Sequence, residues 1–216
     1  MKFHYLVISL LVIPQASNAR VNATPPSSVH VRKFTATGRT PMSLLSDIAR
    51  KYHLIIGLYG TGKYSDWEAP KTIDVDVKDG TLADVFDVIS RAGGFEWRRN
   101  SSGAVHFKMH GTTLTLMEVM VRSFDDENPQ WPEIRNRLRT VPEVASWLQD
   151  HKCPVPNEEI YIAGHPPTWR KFSIHVRDLP MSSMLDQIAA QSGTYYWRAA
   201  EIHQPDMCYL TIRWWL

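Results

Sequence analysis

Cysteine is scarce in this chain: 216 residues carry only Cys153 and Cys208. That excludes a fold scaffolded by several disulfides and leaves two alternatives, a single bridge of the kind that persists in an oxidising compartment, or two separate buried thiols. Excess charge is lacking too, since 24 Lys and Arg stand against 22 Asp and Glu for a formal charge of +2. A nearly neutral chain has no basic field for nucleic acid or a polybasic membrane contact. There is no apolar run of the ~20 residues that a membrane-spanning helix needs. Catalytic patterns are missing as well. No Gly-x-Ser-x-Gly elbow exposes a serine. The acidic residues are scattered, with Asp84 and Asp87 on the exposed side of an expected helix and Asp125-Asp126-Glu127 in an expected loop, and no two carboxylates are set to face one substrate. The expectation is a non-enzyme without cofactor or metal.

What is present begins with a leader. Lys2 gives a positive start, Leu6 to Ile13 form a short apolar run, and Ser17-Asn18-Ala19 is a small-x-small site. Residues 1–19 are read as a Sec-type signal peptide cleaved after Ala19, which places the mature protein in the periplasm or outside the cell with no transmembrane segment. Arg20 to Ser28, with Pro25-Pro26 and Ser27-Ser28, has linker composition.

The rest of the chain writes one pattern twice. Ile73, Val75 and Val77 alternate with charged residues as a half-buried strand does, and Leu82, Val85, Phe86 and Ile89 then fall on one helical face. Gly93-Gly94 ends that helix ahead of the aromatic strand Phe95-Glu96-Trp97. The second copy runs through Phe172, Ile174 and Val176, the face Met181, Met184, Leu185 and Ile188, then Gly193 and Tyr195-Tyr196-Trp197. Upstream of the first copy, Val29 to Thr35 suggests a strand, Thr40-Pro41 a helix start and Leu54 to Tyr59 a second strand. Upstream of the second copy, Thr113 to Phe124 suggests a strand, Trp131 to His151 a helix broken near Pro142, and Ile160-Tyr161-Ile162 another strand. The predicted class is α+β, two tandem βαββαβ-type units spanning residues 29–110 and 111–216, each with two helices packed on small mixed sheets.

The first unit, from Val31 to Phe107, resembles the short N-terminal domain of secretins and TonB-dependent receptors. The residues that carry the resemblance are Phe34, Pro41-Met42-Ser43-Leu44-Leu45, Ile73-Asp74-Val75, Gly80-Thr81-Leu82-Ala83-Asp84-Val85 and Gly93-Gly94-Phe95-Glu96-Trp97. The second unit matches best from Phe172 to Trp197. The resemblance implies a periplasmic protein-protein interaction module with two helices between small sheets.

Three local patterns remain to be weighed. Gly57-Leu58-Tyr59-Gly60-Thr61-Gly62-Lys63-Tyr64 nearly spells a phosphate-binding loop, but Tyr64 stands where the metal-binding hydroxyl is required and no amphipathic helix follows. His106 and His110 are four apart, which on a strand spreads them over roughly 13 Å, too far to chelate. His151 with Cys153 and His203 with Cys208 offer two nitrogens and two sulfurs, at spacings that match no established zinc pattern. Tryptophan is frequent, with eight residues. Trp67, in the Gly-rich loop, and Trp214 and Trp215, whose adjacent positions on a strand point to opposite faces, are the candidate partner contacts; burial between the units is the competing role for the terminal pair. The expected function is an exported, non-catalytic module that binds an envelope protein partner, with strand addition at an open sheet edge as the mechanism. A self-associating structural subunit and a small-ligand binder or enzyme using the Trp-rich loop are the alternatives.

Overall fold

The structure, a computed structural model, describes residues 25–68, 70–127, 129, 133–154, 171–205 and 207–215. The expected signal peptide, most of the linker, the strand at Ile160-Tyr161-Ile162, and the residues Trp131 and Trp169 lie outside them. The first half runs β1 (His30–Arg39), α1 (Pro41–Tyr52), β2 (Ile56–Lys63), a short α2 (Tyr64–Glu68), β3 (Ile73–Thr81), α3 (Leu82–Gly93), β4 (Phe95–Arg99) and β5 (Val105–Met109). The second runs β6 (Met120–Glu127), α4 (Glu133–Thr140), α5 (Pro142–His151), β7 (Ser173–Pro180), α6 (Met181–Ser192), β8 (Tyr196–Gln204) and β9 (Met207–Trp215). The class is mixed α+β.

Local chemistry sets the helix ends. Thr40 accepts a hydrogen bond from the Ser43 backbone N–H ahead of Pro41 at the first position of α1. At α3, the Thr81 side chain accepts from the Asp84 N–H while the Asp84 carboxylate accepts from the Thr81 N–H at 2.6 Å, a reciprocal capping box. The bonds from the Thr81 backbone and hydroxyl hold the Asp84 carboxyl below its usual value. Gly94, at φ 74°, takes the left-handed turn that stops α3. The apolar stripe Leu82, Val85, Phe86 and Ile89 is fully buried, and each such side chain contributes about 1.5–3 kcal/mol relative to exposure.

The two copies of the sequence pattern fold alike locally. β3 leads directly into α3 and β7 into α6. The matched residues Asp79 and Asp178 both take left-handed backbone, at φ 48° and 49°, a conformation that aspartate tolerates better than most residues. Each strand pairs antiparallel with the first strand of its half: β3 with β1, for example Phe34 opposite Val77, and β7 with β6, for example Phe124 opposite Val176.

The sheets depart from two self-contained units. A single five-stranded sheet has the order β4-β5-β2-β8-β9, so the hairpin β4–β5 and β2 of the first half are joined to the hairpin β8–β9 of the second. β2 lies parallel to both neighbours, with Ile56 opposite Val105 on one side and opposite Tyr196 on the other. The physical reason is the apolar run Leu54 to Tyr59: every residue in it is buried, so its strand needs cover on both faces and partners on both edges. Alternation then divides two cores. Ile56, Leu58, Val105, Phe107, Tyr196 and Ile202 face α1 and α3, whereas Ile55, Tyr59, Trp197, Ala199, Leu210 and Ile212 face the helices of the second half. The halves share a sheet and place their helices on its opposite faces. The expected boundary at residues 110 and 111 falls in the turn after β5, and hydrogen bonding of the sheet continues across it.

Candidate functional site

The junction of the halves concentrates the polar chemistry of the molecule. Asp186, on α6, is 3% exposed, and three donors reach its carboxylate. Trp197 Nε1 on β8 donates at 2.8 Å, Asn100 Nδ2 from the β4–β5 turn donates at 2.8 Å, and His106 Nε2 on β5 lies 3.0 Å away. His106 is itself 2% exposed. Its ring sits edge-on to Tyr59 and Trp197, whose own rings stack with centroids 6.0 Å apart. Asn100 also shapes its turn, its Oδ1 accepting from the backbone N–H of Ser102 and Ala104. A buried carboxylate taking three donors, from β8, from β5 and from the β4–β5 turn, binds the halves together. The histidine-aspartate pair resembles a proton-transfer arrangement in composition, yet it lies inside the protein and borders none of the cavities described below.

The glycine-rich run is explained by tryptophan. It is a strand and not a loop: β2 continues through Gly60, Thr61 and Gly62 to Lys63. A Cβ at Gly57 would stand 2.3 Å from Trp197 Cζ2 and 2.5 Å from Cε2. At Gly60 it would stand 2.6 Å from Met109 Cβ, and at Gly62 2.9 Å from Trp67 Nε1. The glycines leave room for indoles lying across the strand. Gly57→Ala is therefore expected to destabilise the protein by about 3 kcal/mol, at the upper end for overpacking because a fully buried ring has nowhere to go. Urea denaturation measures it. Trp197→Phe should cost less in the Gly57→Ala background than alone; additive losses, or a Gly57→Ala loss below about 1 kcal/mol, would show that the ring shifts freely.

The candidate partner residues are mostly inside. Trp67 is fully buried in the first core, and Trp214, 9% exposed, belongs to the second. Both indoles are buried. The side chain of Trp215 lies outside the described residues. Trp67 joins the halves instead: Arg198 of β8, 2% exposed, donates from Nη1 to the Trp67 carbonyl at 2.7 Å and holds its guanidinium 5.9 Å from the indole centroid. The signal that could have identified this role was the arginine directly after the aromatics in Tyr195-Tyr196-Trp197-Arg198, too polar for a strand buried on both faces unless an acceptor awaited it.

Two clefts flank the junction. One, of about 410 Å³, lies among Tyr59, Trp97, Arg98, Lys108, Met117 and Ser182, with a Glu96–Lys108 ion pair of 3.4 Å on its rim. The other, about 380 Å³, is bounded by Met42, Asp47, Trp67, Tyr196, Arg198 and Arg213. Burial pushes the Tyr196 hydroxyl upward, so it stays protonated.

The remaining candidates separate. His110 is exposed in the turn after β5, away from the fate of His106. Asp87 accepts from Trp97 Nε1 at 2.7 Å, and Asp125 pairs with Arg177 at 2.8 Å and with His175 at 3.0 Å, contacts that hold its carboxyl below the usual range. His151 stacks on Trp147 with centroids 4.0 Å apart and bonds its carbonyl. Cys153 and Cys208 are joined as a disulfide with Cα atoms 4.8 Å apart. Beside them lies a residue that sequence spacing did not suggest, Glu201. No family model, no curated protein and no solved structure matches the chain.

Proposed function

We propose that the protein is an exported, non-catalytic interaction module that receives an extended segment of an envelope protein on the outer edge of β9. The observation that carries this reading is the end of the central sheet. β9 is nine residues long and largely apolar, and among the described residues no strand lies on its outer side. The opposite edge, β4, is five residues long and carries Glu96, Arg98 and Arg99, the charged and short form that resists pairing. Leu210 points its N–H outward, to the Pro154 carbonyl at 3.1 Å, so antiparallel alternation turns the N–H of Ile212 outward too. That group is a donor that strand addition would use. The resemblance read in the sequence to the short N-terminal domains of secretins and TonB-dependent receptors, and the leader expected at residues 1–19, point to the same assignment to the envelope. No helix among the described residues is long and apolar enough to cross a membrane.

Amide hydrogen exchange tests the proposal. In the isolated protein Ile212 should exchange at least about a hundredfold faster than Thr211 and Arg213, whose amides face β8, and envelope extract containing the partner should slow it. Strong protection of Ile212 in the isolated protein would mean that the edge is already covered and would overturn the reading. A second reading, binding of a small molecule, rests on the 410 Å³ cleft, whose size and mixture of Tyr59, Trp97, Arg98 and Lys108 suit a ligand with both apolar and charged groups.

A further inference from the structure

The β8–β9 hairpin collects four metal-binding side chains on one face. Cys208 lies directly across from His203 in the strand register, and Glu201 is two residues before His203, on the same side of the sheet. Cys153 reaches this face from the end of α5. The sulfurs of Cys153 and Cys208 and a carboxylate oxygen of Glu201 all lie within 4.8 Å of one another. Cys208 Sγ stands 3.8 Å from Glu201 Oε1, and His203 Nε2 stands 3.1 Å from that same oxygen. The Glu201 side chain is 11% exposed and His203 54% exposed, so the cluster has a buried floor and an open side.

We propose that reduction of the Cys153–Cys208 disulfide converts this cluster into a tetrahedral zinc site with Cys153, Cys208, Glu201 and His203 as ligands. The geometry suits the ion. Donors on a tetrahedral zinc with bonds of about 2.0–2.3 Å lie about 3.3–3.8 Å apart. The Glu201–Cys208 and Glu201–His203 separations already fall close to that range; the two sulfurs part once their bond is broken, and the exposed His203 ring turns toward them to complete the set. The carboxylate position favours the same assignment. A disulfide sulfur has no proton to give Glu201, whereas a thiol or a metal on the sulfurs makes the adjacent carboxylate a partner. Two thiolates, an imidazole and a carboxylate are borderline-soft donors that select zinc over magnesium or calcium.

The chemistry balances in two steps. A dithiol reductant gives two electrons and two protons to the disulfide and leaves as its own disulfide, so that the protein carries two thiols. Zn²⁺ then binds both sulfurs and displaces the two thiol protons to solvent. A disulfide oxidant that takes two electrons from the thiolates and two protons from solvent, leaving as its own dithiol, restores the Cys153–Cys208 bond and expels the ion, which makes the site selective for redox state: the oxidised protein has two of the four ligands bonded to each other.

Cobalt titration of the full chain provides the test. Protein reduced with a phosphine, freed of reductant under nitrogen and titrated with Co²⁺ should develop the intense visible bands of tetrahedral cobalt and a near-ultraviolet sulfur-to-metal band, and added Zn²⁺ should abolish both. Oxidised protein should develop neither. The double variant E201Q/H203A, which keeps both thiols, should bind Co²⁺ at least about tenfold more weakly. Absence of the tetrahedral bands in reduced protein overturns the proposal. Equal affinity of wild type and E201Q/H203A also overturns it, because that is how an unfolded dithiol would bind.

Discussion

Asp186→Ala is expected to lower the unfolding free energy by about 3–5 kcal/mol, the cost of removing one partner from a buried, hydrogen-bonded charged network. The size follows from what is left behind. Trp197 Nε1, Asn100 Nδ2 and His106 Nε2 would lose their common acceptor in a region where neither His106 nor Asp186 reaches water, and each buried donor without a partner costs about 1–3 kcal/mol. Asp186→Asn keeps the volume and one acceptor oxygen but turns an amide toward the donors, so its loss should be smaller. Because Asp186 lies on α6 while Asn100 and His106 belong to the first half, the loss should appear as one cooperative transition displaced to lower urea and not as separate melting of one half. The double variant His106→Ala/Asp186→Ala should lose less than the sum of the single changes, since the second removal deletes a group already orphaned. A loss below about 1 kcal/mol for Asp186→Ala, or full additivity, would show that the network carries little of the stability.

That network also marks where the sequence was informative and where it was not. The helical faces of α1, α3 and α6, the Thr40-Pro41 start, the Gly94 stop and the division of the Trp131 to His151 region at Pro142 were all legible, because periodicity and capping are local properties. The neighbour of β2 was not. An apolar run says that a strand is buried on both faces without saying which strand lies beside it, and its parallel partner β8 is more than 130 residues away in the chain. β8 was itself disguised: Tyr196 through Ile202 are all buried, although Arg198 and Glu201 interrupt the apolar pattern. The glycines of β2 misled for a related reason. Glycine is a poor strand former, and the gain that offsets this, indole rings filling the space of the missing side chains, comes from Trp67 and Trp197 and is invisible in the local sequence. The region Thr113 to Phe124, expected as one strand, opens with a 3-10 turn at Thr115–Glu118 that buries Leu116 and Met117 before β6 begins. As for the sites, the cysteine pairing was one of two open alternatives. Glu201 beside it could not be found by spacing, because the strand register that brings it there depends on the hairpin and not on any motif.

Removing the disulfide should have an effect of comparable size by a different route. Cys153 and Cys208 close a loop with a sequence separation of 55. The chain-entropy relation for a loop of that length gives about 4 kcal/mol, arising from the restricted unfolded chain and not from contacts in the folded one. That is a large fraction of the 5–15 kcal/mol typical of a domain. Alanine is the appropriate replacement, because Cys153 is fully buried and a serine hydroxyl there would add a desolvation cost unrelated to the cross-link. Cys153→Ala/Cys208→Ala should keep the native circular dichroism, since the segment after α5 stays docked on β9 through the Leu210 N–H donated to the Pro154 carbonyl. Its urea midpoint should fall, and its m-value should rise because the unlinked chain expands further on unfolding. Unchanged midpoints for the oxidised protein and the double variant would mean that the bridge contributes nothing to stability. If the reduced sulfurs take zinc, the ion closes the same loop: zinc should raise the midpoint of reduced wild type toward that of the oxidised protein, and leave the alanine variant where it was.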